Sequence, residues 1–66
     1  MKTKLLTKGR AYVEQNTLHR VLTFVQRDEL IRNRYWFTCP DYADADNPKG
    51  CVYVSQHEIN RKFRPA

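Results

Sequence analysis

Apolar and polar residues alternate in short runs along this chain, and a period of two marks strands rather than helices. Residues 10–14, with Ala11, Tyr12 and Val13 inside charged ends, read as a half-buried strand after the break at Gly9. Gln15, Asn16 and Thr17 form a turn signal. Residues 20–26 follow, with Val21, Leu22, Phe24 and Val25 apolar on both faces, the pattern of a central strand covered on two sides. Two further apolar runs, residues 35–39 and 51–55, hinge on a loop bounded by Pro40 and Gly50. Between them and the second strand, residues 27–34 fit either one helical turn or a hairpin loop whose Leu30 and Ile31 fold back onto the core.

A symmetric hinge sets Cys39 opposite Cys51, Phe37 opposite Tyr53 and Trp36 opposite Val54. Strand alternation then puts Tyr35, Phe37 and Cys39 on one face and Trp36 and Thr38 on the other. Val52 and Val54, opposite Thr38 and Trp36, assign the Trp36 face to the core and leave Tyr35, Phe37 and Tyr53 nearer solvent. The C-terminal stretch reads differently. Ser55 and Glu58 have the spacing of a capping box, and Ile59 and Phe63 are four apart on one helical face.

This order predicts a mostly β fold: a small, strongly bent antiparallel sheet, or an SH3-like, partly open barrel of four or five strands with a short C-terminal helical turn. An α+β fold with a helix at 27–34 is the competing expectation. The 66 residues suit one domain spanning 1–66, with 1–8 and 64–66 as candidates for flexible ends. A domain this small buries only about 60% of its unfolded surface, so dense aromatic packing matters to it. Four Tyr, three Phe and one Trp supply that packing.

Hydrophobic content of 41% and charged content of 29% are those of an ordinary folded soluble protein. No apolar run approaches the ~20 residues of a membrane span, so no membrane partner is expected. The basic start lacks the apolar middle of a signal peptide, which makes the cytoplasm the expected compartment and Cys39 and Cys51 reduced thiols. The formal charge of +5 is unevenly spread. Basic residues gather at the ends (Lys2, Lys4, Lys8, Arg10; Arg61, Lys62, Arg64), while the loop 41–50 holds three aspartates against one lysine. A positive body suits a polyanion, and it equally suits simple solubility.

Site chemistry is sparse. Cys39 and Cys51, if opposed, could reach disulfide distance, although buried free cysteines are the plainer reading. With His19 and His57 they make four zinc-capable side chains, but no close C-x₂₋₄-C pair presents two ligands from one turn. Asp44 and Asp46 begin like a calcium loop, yet the rest of that motif is missing. No metal, cofactor or catalytic residue is therefore expected, and His57 beside Glu58 does not make an active site.

The strongest functional signal is aromatic and basic together. Tyr35, Phe37 and Tyr53 on a sheet face could stack unpaired bases, with Arg20, Arg32, Arg34, Arg61, Lys62 and Arg64 on the phosphates. The first expectation is a non-enzymatic module for nucleic acid, single-stranded DNA or RNA above duplex. The alternative is a protein-binding inhibitor or adaptor that uses the aromatic face or the loop residues Asp41, Tyr42, Asp44 and Asp46. A weaker third is a structural subunit whose aromatic face closes a homodimer.

Overall fold

The alternating runs become five strands: β1 (Ala11–Glu14), β2 (Val21–Arg27), β3 (Arg34–Thr38), β4 (Cys51–Ser55) and β5 (Phe63–Pro65). One helix, α1 (Gln56–Lys62), joins β4 to β5, and 3-10 turns form at Thr3–Leu5 and Pro40–Tyr42. The computed structural model describes residues 1–16 and 18–66, so Thr17, the last residue of the expected turn, lies outside the described residues. The strands form one antiparallel sheet in the order β4-β3-β2-β1-β5. Consecutive strands pair as a meander, and β5 returns beside β1. Among the described residues no pairing joins β4 to β5, so the sheet is not closed. The protein is thus mostly β, with the short C-terminal helix that the Ser55 signal predicted.

The core lies on one side of the sheet, built from Tyr12, Leu22, Phe24, Tyr35, Phe37, Cys39, Ile59 and Phe63. Phe37 is its centre: its ring lies 5.2 Å from Phe63, 5.3 Å from Phe24 and 6.4 Å from Tyr12, centroid to centroid. Tilted and edge-on pairs at such separations each add about 0.5–1.5 kcal/mol beyond area burial. The buried Tyr12 hydroxyl accepts from Thr7 N at 2.7 Å, so burying that ring leaves its polar tip satisfied. Ile59, fully buried, brings α1 onto this cluster.

Three expectations give way here. The first is the register of β3 on β4. Thr38 faces Cys51, Phe37 faces Val52, Trp36 faces Tyr53 and Tyr35 faces Val54, one residue off the symmetric hinge. The closing pair is Cys39 with Gly50, joined by Cys39 N–H donating to Gly50 O at 2.9 Å. Gly50 has φ +66°, and a Cβ there would fall 1.9 Å from the Cys39 carbonyl oxygen, so only glycine fits where the loop returns. A slip of one residue moves every side chain of a strand to the other face. Val52 and Val54 therefore pack with Phe37 and Tyr35, and the Tyr35–Phe37–Cys39 face is the core, not the solvent face. Cys39 is buried and Cys51 exposed, both as free thiols, so the two are not opposed.

The second concerns β2, which is central in the sheet but covered on one side only. Leu22 and Phe24 are buried while Val21 and Val25 are 49% and 40% exposed. Register shifts between Phe24 and Gln26, so Val25 occupies a bulge that bends the strand. The third is the segment after β2. Residues 28–33 form no helix. Asp28 Oδ1 accepts from Leu30 N and Ile31 N, both at 2.8 Å, and Asn33 takes φ +63° before β3. The turn projects outward, with Leu30 95% exposed instead of folded back.

The helix start is closer to expectation. Ser55 Oγ accepts from Glu58 N at 3.3 Å as an N-cap. Glu58 does not reach back; its carboxylate meets Lys62 Nζ at 2.9 Å one turn on.

Candidate nucleic-acid interface

The outer face of β3 and β4 gathers what the core leaves out. Alternation along β3 turns Arg34, Trp36 and Thr38 away from the core, and along β4 it turns out Cys51, Tyr53 and Ser55. Cys39 N–H to Gly50 O and Gln56 N–H to Asn33 O place the hydrogen-bonded pairs at every second position. Trp36 and Tyr53 therefore form a non-hydrogen-bonded pair, the kind in which opposed side chains come closest. Their rings meet edge to face, with centroids 5.5 Å apart and planes at 61°. The Arg34 guanidinium lies 3.9 Å from the Tyr53 ring centroid. Tyr53 is 53% exposed.

Asp28 orients this group. The Trp36 indole N–H donates to Asp28 Oδ2 at 2.8 Å, while the other carboxylate oxygen holds the Leu30 and Ile31 amides. One carboxylate thus ties the β2–β3 turn to the indole. These bonds favour the charged form and hold its pKa below the usual 3.8, led by the Ile31 amide, then Trp36, then Leu30, with the charge of Arg34 a smaller contribution. Beside Tyr53, the residues Ile31, Arg32, Arg34 and Ser55 line a shallow cleft of about 290 Å³. Arg32 and Arg34 are thereby brought to the same place as the exposed Tyr53 ring.

The remaining expected residues divide. Tyr53, Arg32 and Arg34 come together as described. Tyr35 and Phe37 do not join them, at 8% and 0% exposure inside the core, and neither presents a ring face to a base. Trp36 takes their place; its assignment to the core followed from the symmetric hinge. Arg20 lies elsewhere, 3.9 Å from Asp41 and 4.5 Å from the Tyr42 ring centroid, so it is engaged by the loop. Arg61 and Arg64 are exposed on α1 and β5, and Lys62 pairs with Glu58. Arg64 is on β5, at the opposite end of the strand order from β4, and none of the three lines the cleft beside Tyr53.

The acidic loop is organised within itself. Asp44 Oδ1 accepts from Asp46 N at 2.9 Å and Asn47 N at 2.8 Å, closing a local turn. Asp41 faces Arg20, and Asp46 is exposed. Among the described residues no three His, Cys, Asp or Glu side chains form a cluster that could hold a metal ion. No helix among them is long and apolar enough to cross a membrane. Comparison of the chain with family models, with curated proteins and with solved structures finds no match, so the outer face itself carries the functional reading.

Proposed function

We propose that the chain is a small, non-enzymatic module that takes single-stranded nucleic acid on the outer face of β3 and β4. The observation that carries this reading is the Arg34 guanidinium stacked on the exposed Tyr53 ring, beside Trp36. An unpaired base needs a π-surface to stack on and a cation within reach of its phosphate. Tyr53 and Trp36 supply the first, Arg32 and Arg34 the second. Arg34 is already held against the ring, so less of its rotamer freedom is lost on binding. Asp28 is occupied by three hydrogen bonds, and its charge is partly spent on the turn it caps. The net charge of +5 adds long-range attraction for a polyanion.

Trp36 is the one tryptophan in the chain and reports directly from this face. Its emission is titrated with mixed-sequence single-stranded DNA and RNA at about 50 and 200 mM salt. For the two phosphates that Arg32 and Arg34 can neutralise, affinity should fall roughly 7-fold between the two salts, from a slope of about −0.7 per phosphate. Quenching at low salt with that slope supports the proposal. An unchanged spectrum at low salt, with the protein folded, rules it out.

A further inference from the structure

Because the sheet stays open, β4 has an unpaired edge, and a groove of about 610 Å³ runs beside it. Its apolar floor includes Leu22, Val52, Val54 and Tyr42, and Glu14 and Glu58 are its charged groups. Twelve of the 66 residues are Lys or Arg, yet none of them lines this groove. In a basic protein such a surface is selective: it repels polyanions and attracts a cation with an apolar neighbour.

The main chain along the groove is equally specific. The alternation that points the amides of Val52, Val54 and Gln56 toward β3 points those of Cys51, Tyr53 and Ser55 outward. Cys51 is already taken. Asn47 Oδ1 accepts from Cys51 N–H and Asn47 Nδ2 donates to Cys51 O, both at 2.9 Å, so one side-chain amide stands in for a neighbouring strand. Ser55 is the N-cap, and the chain enters α1 there. The Tyr53 N–H and C=O remain at the open edge, a donor and acceptor spaced for a single strand-type pair.

We infer that this groove binds an extended segment of a partner protein. The segment pairs with the Tyr53 main chain, lays an apolar side chain over Val52 and Val54, and directs a Lys or Arg toward Glu14 and Glu58. Pairing along an edge gives affinity, and the alternating side chains give specificity. Lys62 engages one oxygen of Glu58 at 2.9 Å, and Asn16 Nδ2 donates to Glu14 Oε1 at 2.6 Å, so each carboxylate is held in place through one oxygen. Trp36 and Tyr53 also border the groove, but its Val52 and Val54 side chains point to the opposite side of β4 from the Tyr53 ring, so the two surfaces share an edge and not a face.

The test uses ¹⁵N amide spectra of the full chain with two blocked pentapeptides, Val-Thr-Arg-Thr-Val and Val-Thr-Glu-Thr-Val, in which the charged residue shares a strand face with both valines. The Arg peptide should shift the amides of residues 52–55, slow exchange at the Tyr53 N–H, and bind about tenfold tighter than the Glu peptide. The Glu14→Gln/Glu58→Gln variant should weaken the Arg peptide about fivefold and leave the Glu peptide no weaker. A third peptide, N-methylated at the amides meant for Tyr53, should lose binding to the unaltered protein, which keeps the test decisive if the double variant fails to fold. Equal binding of the Arg and Glu peptides, shifts confined to the Arg34–Trp36 face, or no shift at about 1 mM peptide would each overturn the inference.

Discussion

The two faces of β3 carry similar side chains under opposite conditions. Inward, Tyr35 and Phe37 are 8% and 0% exposed and meet other rings: Phe24, Phe63 and Tyr12. Outward, Trp36 meets Tyr53, but the rest of its setting is polar: Asp28 on the indole N–H and Arg34 on the neighbouring ring. Aromatic content does not separate a core face from a binding face. What separates them is whether other elements close over the rings or charged groups hold them open to solvent. Inside, α1 and β5 bring Ile59 and Phe63 onto Phe37. Outside, only the Arg34 guanidinium and the edge contact with Trp36 meet the Tyr53 ring among the described residues, and Tyr53 keeps half its surface.

The contrast breaks most severely at its centre. Phe37→Ala should cost roughly 3–5 kcal/mol by leaving a cavity among three rings. A domain this small has little more stability than that, so equilibrium denaturation should find the variant largely unfolded. Gly50→Ala attacks the register that assigns the faces. Its Cβ has no room against the Cys39 carbonyl, and the φ of +66° is strained for alanine. A loss on the order of 2–3 kcal/mol is expected in urea unfolding, and a wild-type midpoint would contradict the role given to this glycine.

Tyr53→Ala sharpens the comparison from the other side. It should weaken single-stranded binding by about 1–3 kcal/mol, the stacking of one base, while the unfolding midpoint moves by less than about 1 kcal/mol. Parallel loss of fold and binding would make Tyr53 a structural residue and sink its assignment. Asn47→Ala should cost about 1 kcal/mol and bare the Cys51 edge, so sedimentation should show more self-association than wild type.

The subtlest expectation concerns pH. Hydrogen bonds hold the Asp28 carboxyl below 3.8, so its stabilisation is present in full above that value. It is lost as pH falls through the lower folded-state pKa, because the folded protein resists protonation that the unfolded chain accepts. Asp28→Asn should flatten this part of the acid limb of the stability curve and alter Trp36 emission at neutral pH. Identical acid limbs in the two proteins would show that Asp28 does not couple the turn to the indole.

Much of the architecture can be read from local pattern. Period-two runs locate four of the strands, Ser55 with Glu58 marks the start of α1, and Ile59 is its buried residue, while Phe63, expected on the same helical face, is buried from β5. β5 carries only three residues and no alternation of its own; it exists because β1 offers it an edge. The candidate site was half legible. Tyr53, Arg32 and Arg34 were identifiable by residue type, while Tyr35 and Phe37 were placed on the wrong face and Trp36 with them.

One residue accounts for that inversion. A symmetric hinge counts Cys39 against Cys51, but the loop returns through Gly50, whose lack of a Cβ lets it close against the Cys39 carbonyl. The sequence by itself determined that these segments would be strands, that a helix would begin at Ser55, and which residues were apolar enough to form a core. Those properties depend on neighbours a few positions away, where sterics, capping and periodicity act. Only the tertiary structure decided which face of β3 that core would cover, since register depends on a loop closing at a single atom's clearance. Because side chains alternate, that one closure set the orientation of every residue on β4 and left Trp36, Tyr53 and Arg34 together on the outer face.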